Sequence, residues 1–218
     1  AEVLSWVLSE GFNGKRVAMT SSFQNQSLPL LYLVGKICPA LPVYFLDTEF
    51  HFPETREYVE ELRQVLGLKI VTIRPLSEGY DKGMFMNDPD MCCYLRKVEP
   101  LQRAFKDVDV WISGIRRDQT RARRSIRMLD YHEPLDVVKV SPMANVTSKL
   151  LDRLNDRLDL PRHPLLTRGY RSIGCAPCTK PTTSSEESRA GRWAGKEKTE
   201  CGLHFDPKTG EVARNMNK

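Results

Sequence analysis

The sequence predicts a doubly wound α/β fold, a mainly parallel sheet with helices on both faces, followed by a mobile C-terminal tail. Five short segments rich in β-branched and other apolar residues predict its strands: 16–22 (RVAMTSS), 42–48 (PVYFLDT), 69–75 (KIVTIRP), 109–115 (DVWISGI) and 136–142 (DVVKVSP). Between the second and third, residues 53–66 predict a helix. Val59, Leu62, Val65 and Leu66 form its apolar stripe, Pro53 suits its first turn and Gly67 its C-terminal cap. From Gly169 onward the composition turns to Gly, Ser, Thr, Lys and Arg. The expected organisation is therefore a domain over residues 1–180 and a tail over 181–218 that closes on a site.

A chain of 218 residues with 40% hydrophobic content can bury one substantial core. No apolar run approaches the roughly 18 residues that span a bilayer, so a soluble, intracellular protein without a membrane partner is expected. The formal net charge of +5 favours an anionic ligand. Six cysteines, at 38, 92, 93, 175, 178 and 201, are too few and too uneven for a secreted disulfide scaffold of this length. In a reducing compartment they read as metal ligands plus a reactive thiol.

In open α/β sheets ligands bind beyond the carboxyl ends of the strands, which directs attention to SSFQNQS, LDTEF, GIRRDQTRAR and SPMANVTS. The cysteines supply the other signal. Cys175 and Cys178 form a C-x-x-C pair, a spacing shared by zinc sites, redox disulfides and chance. With the tandem Cys92 and Cys93 they make four thiolates, enough for zinc or an iron-sulfur cluster. Neighbouring residues on a helix point about 100° apart, which crowds one zinc ion and suits the separate irons of a cluster. Asn87 or Asp88 can cap that helix, Pro89 fits its first turn, and Arg96 and Lys97 follow the cysteines at i+4. Cys201, in the polar stretch EKTECGLH with Lys196, Lys198 and His204 nearby, is placed as a nucleophile; Cys38 is placed as packing.

CCYLRKVEPL, HPLLTRGYRSIGCAPCT, RAGRW and KTECGLH together resemble the iron-sulfur adenylyl-sulfate (APS) reductases of assimilatory sulfate reduction, relatives of the phosphoadenylyl-sulfate (PAPS) reductases. The likeness runs from about Gly14 to about Asp206. It implies an adenine-nucleotide-hydrolase-like fold, a 4Fe-4S cluster on Cys92, Cys93, Cys175 and Cys178, and catalysis by Cys201. It also implies APS as substrate, thioredoxin as a separate reductant, a cytoplasmic homo-oligomer, and no nucleic-acid partner. By the same likeness Lys97, Arg116 or Arg117, Arg189 and Arg192 surround the sulfate and phosphate, with His204 close by. Ser21, Ser22 and Ser27 of SSFQNQS meet the phosphate, and Asp47 and Thr48 line the nucleotide pocket.

Two features depart from that pattern: SSFQNQS lacks the usual glycine and acidic residues, and RWAGKEK is shorter and less aromatic than in relatives. A PAPS substrate would need a further cationic pocket, for which Arg121, Arg123 and Arg124 are candidates. An ATP pyrophosphatase of the same fold would carry a glycine-rich loop, yet no glycine lies between Lys15 and Val34. A four-cysteine zinc module binding nucleic acid through 116–127 is the non-enzymatic alternative.

Overall fold

The computed structural model of the chain describes residues 2–76, 81, 83–183, 185–196, 198 and 200–204. Its centre is a six-stranded sheet in the order β3-β2-β1-β4-β6-β5. β1 (Val17–Thr20), β2 (Val43–Leu46), β3 (Ile70–Ile73), β4 (Val110–Ser113) and β6 (Val137–Val140) are parallel and fall inside the five segments expected. β5 (Leu129–His132) was not expected. It is an edge strand, antiparallel to β6, with Leu129 opposite Val140 and His132 opposite Val137. Its residues, LDYH, carry little apolar signal because one side faces solvent; pairing with β6, rather than propensity, makes it a strand.

Alternation along the strands divides the core in two. Met19, Val43, Val110 and Ile112 pack with the helices Leu28–Ile37, Pro53–Leu66 and Ser148–Leu158 on one face. Ala18, Trp111 and Val137 pack with Leu101 and Phe105 on the other. All four residues of β4 are buried, as a central parallel strand covered on both sides requires. The helix Pro53–Leu66 has the predicted bounds, and Gly67 caps it in the left-handed region at φ 62°. Its buried stripe is Thr55, Tyr58, Val59 and Leu62, whereas Val65 lies at the edge of that stripe and is exposed. None of the described helices is long and apolar enough to cross a membrane.

The strand order sets the site. From β1 the chain steps outward through β2 and β3, then returns to build β4 on the other side of β1. Connections leave β1 and β4 in opposite directions, opening a crevice at the carboxyl ends of these neighbours. Residues 181–204 of the tail, where described, are packed onto the domain: Trp193, Lys198 and Glu200 are all buried. The rest of the expected tail, 205–218, lies outside the described residues.

Candidate active site

The crevice holds a cavity walled by the ends of β1, β2 and β4, the loop Ser21–Ser27 and the tail. Ser21, Ser22 and Ser27 line it, as do Lys97, Arg123, Arg189, Arg192, Cys201 and His204. Four cations thus meet there with no carboxylate on the wall among the described residues. That charge balance suits a polyanion, and the nucleophile candidate stands within the same walls.

The serine loop has a strained step that stands in for the absent glycine. Phe23 has φ 51°, its backbone N–H donates to Ser21 Oγ at 3.0 Å, and its buried ring packs edge-on against Phe45. Burial of that ring offsets the roughly 1–2 kcal/mol cost of a left-handed non-glycine residue. Ser27 precedes the ten-residue helix Leu28–Ile37 and makes no side-chain cap bond, so its hydroxyl is left to the cavity it lines.

Cys92, Cys93, Cys175 and Cys178 line a second, smaller pocket beside the first. Lys97 and Trp193 belong to both walls. Asp88 caps the helix Pro89–Cys93 by accepting from Met91 N at 2.9 Å. A wide π-type turn at Tyr94–Val98 follows and turns the buried Arg96 and Lys97 inward. Burial pushes the Cys93 thiol up to about 12 and raises Cys92 and Cys178 as well. Cys175 is also buried, but Lys97 and a 3.2 Å hydrogen bond shared with Thr48 Oγ1 bring its thiol below the ordinary value. Burial works against the Lys97 ammonium, yet Cys175, Cys93 and Cys201 outweigh it and raise its pKa.

The segment after β2 has a different job from the one its sequence suggested. Asp47 and Thr48 do not line the cavity. The Asp47 carboxylate is buried and taken up by Arg56 at 3.1 Å and Arg74 at 3.5 Å; burial would raise its pKa, but Arg56 and the Glu49 N–H hold it low. Thr48 faces Cys175, and its carbonyl accepts from Arg96 at 3.2 Å. Glu49, in the left-handed region at φ 66°, pairs with Arg96 at 2.7 Å, and Phe50 O accepts from Ala176 N at 2.7 Å. LDTEF therefore fastens both halves of the cysteine pocket to the sheet. The spacing gave no sign of this, because every partner is distant in the chain.

Arg116 and Arg117 also stand off the cavity wall. Arg116 is fully buried and donates to Asp118 at 3.0 Å; Arg117 donates to Ile126 O at 2.8 Å. The arginine from this loop that reaches the cavity is Arg123, on the turn Arg121–Ser125. It donates from Nε and Nη2 to the two oxygens of Glu200, at 2.9 and 2.7 Å, and Thr120 Oγ1 adds a third bond at 3.1 Å. Arg189 approaches the same carboxylate at 3.9 Å. Glu200, immediately before Cys201, is thus the tail's buried anchor. Lys198 adds a pair with Asp90, and Lys196 donates to Phe85 O.

Arg192 crosses the C-x-x-C segment to reach the cavity. Its guanidinium stacks over Trp193 at 4.5 Å and donates to Ile173 O at 3.2 Å. A Cβ on Gly174 would stand 2.4 Å from that guanidinium, so any larger residue there would have to push it aside. Residues the sequence reading did not single out are Gln24, Gln26, His51 and Thr55 on the wall and Lys139 behind it. A buried lysine within the apolar segment DVVKVSP was the available sign for the last.

A cation-walled crevice at the switch point of a mostly parallel sheet, with a thiol on its wall, sits on an α/β fold of the adenine-nucleotide-hydrolase-like type. The family model for the phosphoadenosine phosphosulfate reductase domain matches residues 16–181, and the chain belongs to that family. Adenosine 5'-phosphosulfate reductase 1 from Bacillus subtilis is 39% identical over 209 residues, 93% of this chain and 89% of the relative. Adenosine 5'-phosphosulfate reductase from Streptomyces coelicolor is 37% identical, over 93% of this chain and 87% of its own. The crystal structure of phosphoadenylyl-sulfate reductase from Candida auris, a phosphate complex, is similar at a TM-score of 0.70 and 25% identity. It covers 82% of this chain and 89% of that one.

Burial would raise the Glu200 pKa, but Arg123 outweighs it and holds the carboxyl below its ordinary 4.5. The clamp is therefore complete at neutral pH and is lost only as pH falls below that value. Breaking a buried pair costs about 3 kcal/mol or more, so Glu200→Gln should release the tail at neutral pH. Site-resolved mass spectrometry of iodoacetamide labelling should show Cys201 modified about tenfold faster or more, with the rate at Cys38 unchanged. Equal Cys201 rates in both proteins would remove Glu200 from the anchor.

Proposed function

We propose that the chain reduces adenosine 5'-phosphosulfate to sulfite and AMP, through an S-sulfocysteine on Cys201 that a separate dithiol protein of the thioredoxin class resolves. The observation that carries this reading is the meeting of Cys201 with Lys97, Arg123, Arg189 and Arg192 around one cavity free of carboxylates among the described residues. A thiolate attacking an anionic sulfuryl group needs such compensation, and fixed cations provide it without reorganising.

The Cys201 thiolate attacks the sulfur of the sulfate group, the bond from that sulfur to the bridging oxygen breaks, and AMP leaves with the electron pair. A thiolate of the reductant then attacks Cys201 Sγ and expels sulfite, forming a mixed disulfide. The second thiol of the reductant attacks its own partner sulfur, which returns Cys201 as a thiolate and leaves the reductant oxidised. Ser21, Ser22 and Ser27 hold the 5'-phosphate, and Arg189, Arg192, Lys97 and His204 hold the sulfate end. Asp47, Thr48, Arg116 and Arg117 act by holding the framework in place. Two thiols supply both electrons.

The cysteine pocket suits a 4Fe-4S cluster on Cys92, Cys93, Cys175 and Cys178. Its donor set is four thiols, and Trp193, on the same wall, has a buried indole N–H without a partner in the structure, a donor suited to a cluster or cysteine sulfur. When bound, the cluster would supply fixed charge beside Lys97. Arg121 and Arg124 are exposed and stand off the cavity wall, so Arg123 is the one arginine of that turn on the wall, already counted among the cations around the sulfate; this favours APS over PAPS.

With labelled APS and no reductant, the label should stay on the protein and be absent in Cys201→Ser; an unlabelled wild-type protein would overturn the covalent step. Comparison of kcat/KM should favour APS over PAPS by about a hundredfold or more, and equal values would reverse the assignment. Anaerobically purified protein should hold about four irons per chain and lose them in Cys175→Ser. Colourless, zinc-bearing protein would overturn the cluster.

A further inference from the structure

Behind the cavity wall, Lys139 sits within β6 at 7% exposure and does not line the cavity. Its Nζ lies 3.0 Å from His204 Nδ1 and 4.5 Å from the centre of the Trp111 ring. Trp111 is its register partner on β4, wholly buried, with an indole N–H that donates to Thr20 Oγ1 at 2.8 Å. The imidazole of His204 lies on the same indole, 4.9 Å between centres and 21° from parallel. Three adjacent strands, β1, β4 and β6, thus each give one side chain to a platform for a ring carried by the tail.

The chemistry of that contact limits what the ring can offer. Two nitrogen bases 3.0 Å apart resist carrying a charge each, and of the two the amine is intrinsically the stronger base. An ammonium has no lone pair, so a charged Lys139 can only donate, and Nδ1 can only accept. A neutral imidazole that accepts at Nδ1 carries its proton at Nε2.

We propose that Lys139 is a positioning residue that sets the tautomer of His204, so that the ring presents a neutral Nε2–H donor to the anion in the cavity. This rests on the reading of the cavity as an anion site and adds to it a residue that touches no substrate. A neutral donor stabilises charge that develops on a leaving oxygen while leaving the proton count at the site fixed.

The surrounding charges support the arrangement. Lys139 is faced by Arg123, by Asp130 from β5, and by Glu200 and Cys201 from the tail; His204 is faced by Arg123, His132 and Arg189 as well as by Lys139. Burial first, then Arg123, lowers Lys139 to about 7. Burial first, then Lys139 and Arg123, holds His204 well below its ordinary value, so the ring is neutral near pH 7. As pH rises through about 7, Lys139 loses its proton and the ring is released from one tautomer. A bound anion moves that loss to higher pH.

Nitrogen-15 NMR of the histidine rings in the whole chain tests this, the His204 signals being those lost in His204→Asn. At about pH 6 the ring should be neutral and protonated at Nε2, with the bias fading above neutrality. Lys139→Met should give mixed tautomers and a ring that titrates nearer its ordinary value, and Lys139→Arg should keep the wild-type tautomer. A wild-type ring protonated at Nδ1 at that pH, or a Lys139→Met ring like the wild type, overturns the proposal. The wild-type tautomer alone decides it where the methionine variant does not fold. In turnover, Lys139→Met should lower kcat on the order of tenfold with little change in KM, and arginine should restore it. Since the NMR is read without nucleotide, it can fail while the assigned substrate stands, and the reverse.

Discussion

Four cations around one cavity repel each other, and much of this molecule is arranged to keep them together. Two unit charges 4 Å apart in a protein-like medium are worth about 4 kcal/mol, so uncompensated crowding would push these side chains outward. Each is instead held by a neighbouring group. Lys97 is set among Cys175, Cys93 and Cys201, Arg123 is clamped by Glu200, Arg189 lies near the same carboxylate, and Arg192 rests on the Trp193 ring and the Ile173 carbonyl. Glu200, Cys93 and Cys175 stand off the cavity wall, while the four cations line it. That polarity, rather than the number of basic residues, makes the site selective for an anion.

The sheet makes this arrangement affordable in length of chain. The switch point between β1 and β4 gathers two loops from opposite sides of the sheet, and the tail closes the third side. LDTEF, at the end of β2, ties the cysteine helix and the C-x-x-C segment to the same edge through Arg96, Thr48 and Phe50. A change in the cysteine pocket therefore has a short physical route to the cavity, through Lys97 and Trp193, which belong to both. A cluster held there would influence chemistry at Cys201 by fixing charge and geometry.

Most of the fold was legible because buried parallel strands announce themselves: VAMT, VYFL, IVTI, VWIS and VVKV need no partner to be recognised as apolar runs. β5 was not, since LDYH becomes a strand only beside β6. That Cys92 and Cys93 would meet Cys175 and Cys178 was readable from residue type and spacing. What spacing could not show was which polar residue faces inward. Arg116, Arg117 and Arg123 look alike in GIRRDQTRARR, and only the Glu200 clamp, seventy-seven positions along the chain from Arg123, distinguishes the last. Nor could spacing show the contacts of Asp47 and Thr48, since their partners, Arg56, Arg74 and Cys175, are fixed by tertiary contact. The missing glycine of SSFQNQS is answered by Phe23, whose left-handed backbone depends on a ring buried against Phe45.

Among its described residues the tail gives the core one buried hydrophobic side chain, Trp193, so the position of Cys201 depends largely on a few polar clasps. Of these, Glu200 sits in apparent conflict with the reaction, since it brings a carboxylate to arginines that an anionic substrate would also use. A guanidinium has five donor hydrogens, enough to serve a carboxylate and a second anion together. On the proposed mechanism Glu200 would lower the net attraction for the ground state and, in return, fix the place from which the Cys201 thiolate attacks. Uniform attraction strengthens binding of substrate and transition state alike, whereas a fixed nucleophile favours the transition state alone. On the proposed mechanism, a carboxylate next to Cys201 is the element that would convert an anion-binding crevice into a site for sulfuryl transfer.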